Sequence, residues 1–317
     1  MTHDLDDRYE DRSDHYDDRY ERHELLAEGP AQGLAGLLGV PLPPLTTQGL
    51  PALWHWVYLL DRPAQADLGR DGHPVRGVLP VPPGPGLRRM WAGGRVSTLR
   101  PLVTGRPASR ISTIAGTRET VGRTGAMTFV TVRHEVVQDD QVAVVDEQDI
   151  VYRQPPPPEQ HLEPHPEPHP EQHGQAGSGS DEAPEAPVAA GDWVIETSST
   201  LLARYSALTY NGHRIHYDRD FTRNVEGYPG LLVHGPLQAT AMAEAARSLL
   251  GGAVVPGSFD YRLLAPLFDH QGMVVTATRS TEYIEPGIDD AGQDQIVTQV
   301  RDRTGRPTAQ GRWVCRG

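Results

Sequence analysis

The stretch Tyr210-Asn211-Gly212-His213-Arg214-Ile215-His216-Tyr217-Asp218 brings two imidazoles, an amide, a guanidinium and a carboxylate into one short segment. Val233-His234-Gly235-Pro236 follows and opens a long apolar run, GPLQATAMAEAARSLL. Histidine exchanges protons near neutrality because its ordinary pKa is about 6.5. A helix starting at Gly235 offers backbone N–H groups that have no intrahelical acceptor, a place where charge developing on an oxygen is stabilised. Together these residues are equipment for proton transfer beside a carbonyl.

His216 is read as the base. Asn211 cannot exchange a proton as a carboxylate does, but its amide can hold a water or orient His216. The N–H of Gly235 is the candidate oxyanion donor. Asp218, two residues after His216, is placed to fix its tautomer, and His213 shares the loop. Tyr210, Arg214, His234 and Arg262 are candidate substrate contacts, Arg214 because a guanidinium pairs bidentately with a carboxylate. Each supporting residue also has a structural reading: a turn-stabilising Asp218, an exposed loop His213, a helix-capping His234, a surface Arg214. A zinc site built from His213, His216 and His234 is disfavoured, because no His-Glu-x-x-His occurs. No metal and no cofactor are expected.

Composition narrows the classes further. The chain has 317 residues and a formal charge of −13. Residues 1–22 and 154–192 account for that whole charge, and the remainder is neutral. The acidity is that of solvated segments, so neither a nucleic-acid nor a membrane surface is indicated. All 29 basic residues are arginine, which removes Schiff-base lysine and Walker-type chemistry. Phosphates or carboxylates would have to meet Arg, His or backbone N–H groups; Arg88, Arg89, Arg95 and Arg262 are candidates for phosphate groups. The lone Cys315 excludes an internal disulfide and is expected as a strand residue in a reducing compartment, consistent with a cytoplasmic location. The acidic start does not read as a signal or transit peptide.

Four regions must position these groups. Residues 1–22 read as a disordered acidic tail. Residues 154–192 are a Pro/His/Glu-rich linker; their His161, His165, His169 and His173 sit between prolines that prevent a helical metal face. The first half, 23–153, predicts helices near 23–38 and 47–61, a Gly/Pro-rich loop at 69–87, and strands near 88–99, 107–119, 126–138 and 141–153. Trp54, Trp56 and Tyr58 are expected in its core. The second half, 193–317, predicts a strand near 193–197, a helix at 199–208, the polar loop, a turn at Gly227–Gly230, a helix at 235–250 with Pro236 in its first turn, and strands at 256–266, 272–284, 294–302 and 308–315. Each half is helix plus antiparallel sheet, and the two look like copies of one architecture.

With these residues in view, the second half resembles the MaoC-type enoyl-thioester hydratases and dehydratases of the hot-dog fold. Asn211-Gly212-His213-Arg214-Ile215-His216 stands where that family has an Asp-x-Asn-Pro-x-His loop. His234-Gly235 matches its helix entry, and Gly257 to Leu267 matches a later strand. The family's Asp is Asn211 here, and its His is retained as His216. Arg88-Arg89-Met90-Trp91-Ala92-Gly93-Gly94-Arg95 is similar to the amino-terminal half of a two-hot-dog subgroup that includes 3-methylfumaryl-CoA hydratases and mitochondrial-type 3-hydroxyacyl-thioester dehydratases. The resemblance implies an α+β double hot-dog, two antiparallel sheets each wrapped around a central helix. It implies a non-catalytic first half serving as pseudo-dimer partner and a hydro-lyase second half acting on an acyl-CoA or acyl carrier protein thioester. Pairing of the whole chain into a homodimer is compatible with it. The substrate it suggests is 3-methylfumaryl-CoA. A fatty-acid-type 3-hydroxyacyl dehydratase, a thioesterase and a non-catalytic acyl-CoA-binding module are the alternatives.

Overall fold

The computed structural model describes residues 19–80, 83, 87–122, 125–154, 184–280 and 295–315. Most of the acidic tail, most of the linker including its four histidines, and the far end of the strand expected to reach residue 284 lie outside the described residues.

One antiparallel sheet runs through both halves. Its strands are β1 (Arg19–Leu25), β2 (Arg88–Thr98), β3 (Pro107–Gly122), β4 (Gly125–Gln138), β5 (Gln141–Arg153), β6 (Trp193–Ile195), β7 (Gly257–Leu263), β8 (Met273–Ser280), β9 (Gln295–Arg301) and β10 (Pro307–Cys315). Their spatial order is β1-β3-β4-β5-β2-β7-β10-β9-β8-β6. The five strands of the first half therefore join the five of the second along a single seam. There β2 pairs with β7, from Gly93 opposite Arg262 to Thr98 opposite Gly257. The two sheets of the double hot-dog are thus continuous edge to edge, and β2 carries the Arg-Arg-Met-Trp segment to within reach of the second half.

The strands follow their side-chain pattern. In β4, Val130, Val132, His134 and Val136 are buried and alternate with more open positions, the period-two signature of a strand with one covered face. In β7, Phe259 and Tyr261 face inward while Arg262 faces out.

The helices divide unevenly. In the second half α4 (Gly235–Leu249) is buried nearly all round and packs on β8, β9 and β10. Its alanines keep the helix thin enough to be wrapped by the sheet, and its buried Gln238 is satisfied by the Thr308 hydroxyl at 2.8 Å. Preceding it, α2 (Ser199–Leu208) is capped by the Ser198 side chain, and a short α3 (Arg219–Asn224) follows the polar loop.

In the first half α1 (Glu28–Leu38) packs against α2 and the turn at Trp54–Val57. The helix expected over 47–61 does not form; the chain makes only that one 3-10 turn. Pro51 cannot donate to a helical ladder, and Leu53 and Leu59 take left-handed backbone at φ 69° and 52°. Trp54 and Tyr58 are nevertheless fully buried, as expected of core residues. Tyr58 donates to the Ala27 carbonyl at 2.7 Å and accepts from the Ala31 N–H at 3.1 Å, which fixes the start of α1. The strand β1 begins at Arg19, so the last residues of the acidic stretch carry regular backbone.

Candidate active site

The polar loop leaves α2 through Tyr210, whose φ of 52° turns the chain. The side-chain oxygen of Asn211 then accepts from the N–H of His213 at 2.9 Å, closing a local turn. A 3-10 turn, Arg214–His216, delivers His216. The Nδ1–H of His216 donates to the Leu232 carbonyl at 2.8 Å, since a carbonyl can only accept. That bond leaves Nε2 as the lone-pair nitrogen, the tautomer a base requires. The Leu232 N–H in turn donates to the Ile215 carbonyl at 3.0 Å, so loop and strand-like segment hold each other.

His234 lies against His216 with ring centroids 3.6 Å apart and planes 18° from parallel. Its Nε2 meets the Ser206 hydroxyl at 2.9 Å, while its Nδ1 is buried without a partner. It is 1 % exposed and backs His216 rather than lining the cavity. The next residue, Gly235, is at the first position of α4, where its N–H has no intrahelical acceptor. Both His216 and Gly235 line the same cavity, of about 1180 Å³. A Cβ on Gly235 would collide with the Leu263 side chain, so glycine keeps this wall open.

The first half supplies the opposite wall. The Asp71 carbonyl accepts from the Arg214 N–H at 2.8 Å. Gly72, at φ 81°, passes so close to the Gly212 carbonyl that any side chain would strike it. The His73 ring packs tilted on His213 with centroids 4.5 Å apart, and His213 stands edge-on to His216 at 5.5 Å. Arg89 reaches His73 Nε2 at 3.1 Å. Sequence reading missed Asp71 and His73 altogether. The signal available was a Gly-His-Pro run inside a loop of glycine and proline.

Electrostatics keep the imidazoles neutral. Burial pushes His216 down to about 3, aided by nearby His213 and opposed by the Leu232 bond. Burial and then the Arg89 charge push His213 down to about 3. His73 and His234 are held well below their ordinary range, burial again being the largest cause. Desolvation penalises imidazolium, so at pH 7 the array offers lone pairs rather than charge.

Two expected contacts are absent. Asp218 does not touch His216. Its carboxylate caps α3 through the Phe221 N–H at 2.9 Å and pairs with Arg214 at 2.7 Å. The tautomer of His216 is set by the Leu232 carbonyl instead. Arg214, bound to Asp218 and lying 4.0 Å over the Phe221 ring, braces the loop. Arg262 is exposed on the outer face of β7 and is not part of the cavity wall. Arg88 is paired with Glu226 at 3.0 Å. Tyr210, 56 % exposed, sits on the cavity rim, and Trp56, expected in the core, lines the cavity. Among the described residues no group of three His, Cys, Asp or Glu side chains is arranged to hold a metal ion.

The family described as hydroxyacyl-thioester dehydratase type 2 matches residues 53–269. The chain belongs to that family. It is 42 % identical over 226 residues to mesaconyl-C(4)-CoA hydratase of Chloroflexus aurantiacus, covering 71 % of this chain and 74 % of that protein. It is 38 % identical over 80 residues to the mitochondrial hydroxyacyl-thioester dehydratase type 2 of Schizosaccharomyces pombe, a match to 27 % of that protein. A MaoC-like dehydratase superposes with a TM-score of 0.63 at 14 % identity, covering 94 % of this chain and 97 % of that one. A Mycobacterium tuberculosis protein described as a double hot-dog superposes at 0.51, also at 14 % identity, over 94 % of each chain. This type 2 dehydratase relative is therefore a double hot-dog hydro-lyase of acyl thioesters. No helix among its described residues is long and apolar enough to cross a membrane.

Proposed function

We propose that the protein reversibly hydrates 3-methylfumaryl-CoA to citramalyl-CoA, with His216 and Gly235 as the catalytic pair. The observation that carries this reading is the extended similarity to mesaconyl-C(4)-CoA hydratase across both halves.

The chemistry follows from the site. A water hydrogen-bonded to the free Nε2 of His216 loses its proton to that nitrogen as its oxygen adds to the β-carbon. Electron density moves through the double bond onto the thioester oxygen, which the Gly235 N–H meets at the helix terminus. The resulting imidazolium returns the proton to the α-carbon, and the thioester carbonyl re-forms. One imidazole thus takes a proton from one atom and delivers it to another. This accounts for Asn211 where related enzymes have a carboxylate: its oxygen shapes the loop and its NH₂ remains free to hold the water. In dehydration the same steps run backwards.

A cavity of about 1180 Å³ is more than a five-carbon acyl group fills, which favours as second reading a dehydratase of longer 3-hydroxyacyl thioesters. Loss of enoyl absorbance with 3-methylfumaryl-CoA, crotonyl-CoA and a ten-carbon enoyl-CoA separates the two. Preference for the branched substrate supports the first reading and preference for the ten-carbon chain the second. Release of free thiol would replace both with a thioesterase. CoA binding without turnover of any substrate would overturn the hydratase reading.

A further inference from the structure

Five arginines line the cavity, and two are already neutralised. Arg214 is bound to Asp218 at 2.7 Å and Arg110 to Asp61 at 2.6 Å. Arg70 is exposed. Arg89 and Arg153 meet no carboxylate among the described residues, and of these Arg89 is the one joined to the histidine array. Its guanidinium donates to His73 Nε2 at 3.1 Å and lies beside Tyr152, both neutral groups. His73 packs on His213, and His213 abuts His216. A partly buried guanidinium facing only neutral partners lacks a counter-charge, and removing a cation from water without one is costly.

The substrate class supplies that charge. In a dicarboxylic enoyl thioester of the 3-methylfumaryl type, the free carboxylate is attached to the β-carbon that receives the hydroxyl. Its binding site must therefore adjoin the base that activates the water. Its negative charge also opposes attack on that carbon until a cation neutralises it. A planar guanidinium matches a carboxylate with two parallel hydrogen bonds, which a lysine could not do.

We propose that Arg89, supplied by the first half and held in place by His73, receives the free carboxylate of a dicarboxylic 2-enoyl thioester. This makes the Arg-Arg-Met-Trp segment of β2 the specificity element of a site whose proton chemistry lies in the second half. It assigns to Arg89 a carboxylate in place of the phosphate groups considered from sequence. It rests on the hydratase reading above. Neutral His73 is suited to the task, because it accepts from Arg89 and orients the fork without competing charge.

The test is the ratio of kcat/KM for 3-methylfumaryl-CoA to that for crotonyl-CoA, which lacks the second carboxylate. Wild type, Arg89→Met, Arg89→Lys and Arg153→Met are compared, each checked by thermal melting. The ratio is expected to fall at least 100-fold in Arg89→Met and about tenfold in Arg89→Lys, and to stay within threefold in Arg153→Met. A ratio within threefold of wild type in both Arg89 variants overturns the proposal, as does a fall centred on Arg153. If Arg89→Met does not fold, Arg89→Lys decides alone by the same criterion. Wild-type turnover of crotonyl-CoA but not of the dicarboxylic substrate overturns the carboxylate anchor and leaves the hydro-lyase chemistry standing. Turnover of neither overturns the hydratase reading, and the anchor with it.

Discussion

Each half of the molecule buries histidines beside a serine, yet only in the second half does the histidine cluster adjoin a helix terminus, which is why the proposed proton transfer is assigned there. In the second half His216 holds its Nδ1–H on a carbonyl, stacks on His234, and opens Nε2 into the cavity beside the first N–H of α4. In the first half His134 meets Ser112 at 2.7 Å, and in the sheet register it stands between Ser112 and Asp146. Asp146 is itself joined to His55, Trp56 and Gln148. Among the described residues no helix terminus joins that cluster, and the chain over 47–61 forms only the 3-10 turn at Trp54–Val57. A buried imidazole becomes a catalyst when a preorganised donor faces it across a substrate-sized space. The first half contributes a wall and positioning groups instead.

The largest expected effect is at Glu244, a buried second-half carboxylate that also meets the first half. It is buried on α4, pairs with Arg247 at 2.7 Å and accepts from Trp54 Nε1 of the first half at 2.8 Å. Burial raises its pKa, and Arg247 works against that shift. Replacing it with Leu strands the Arg247 charge and is expected to lower stability by about 3–5 kcal/mol. Urea unfolding checks the size of the loss. A loss below about 1 kcal/mol would show the halves to be coupled chiefly through the β2–β7 seam.

Next in size is the oxyanion wall. Gly235→Ala pushes a methyl into Leu263 and tilts the first turn of α4. A fall of about 10- to 100-fold in kcat/KM is expected, less than the roughly 100- to 1,000-fold that outright loss of one oxyanion donor costs, because the N–H is displaced rather than removed. Leu263→Ala should restore part of it, and a double-mutant cycle measures the coupling.

Acid should then act on both halves alike. The buried imidazoles have folded pKa values depressed to about 3 for His213 and His216 and about 4 for His134. The unfolded chain takes up protons near pH 6.5 that the folded chain refuses, so stability falls as pH drops from about 6.5 toward 4. Each such histidine contributes up to about 1.4 kcal/mol per pH unit. Denaturant midpoints at pH 7, 6 and 5 give the slope; a flat profile contradicts the neutral array. Over the same interval kcat/KM of the folded enzyme should lack the acid limb near 6.5 that a solvent-exposed histidine base would show.

The smallest expected effect is at Asp218, the residue sequence proximity would pair with His216. Asp218→Asn keeps an α3 cap and loosens only the Arg214 brace, so kcat/KM should change by less than about fivefold. A loss of 100-fold or more would restore Asp218 to the proton pathway.

Much of this was legible in the chain because it is local. The strands from Arg88 to Arg153 alternate strongly and meet at Asp139 and Asp140, both with positive φ, so their limits fall within a few residues of the pattern. The opening of α4 is marked by His-Gly-Pro. The helix expected at 47–61 failed because burial of Trp54 and Tyr58 is achieved by a coil that Pro51 starts, and apolar spacing alone does not reveal that. The partners of the polar loop were hidden for another reason. Asp71, His73 and Arg89 stand more than a hundred residues from His213 in the chain and reach it only through the fold. Asp218 misled because two residues along a turn put its carboxylate on the α3 terminus rather than on the imidazole.

Hydration of 3-methylfumaryl-CoA by His216→Ala and His134→Ala, measured beside wild type, tests the difference between the halves most directly. The expected result is a loss of about 1,000-fold or more at His216, the scale on which a general base acts, with His134→Ala within fivefold of wild type. Full activity in His216→Ala, or equal losses in the two variants, would contradict the assignment of the proton transfer to the second half.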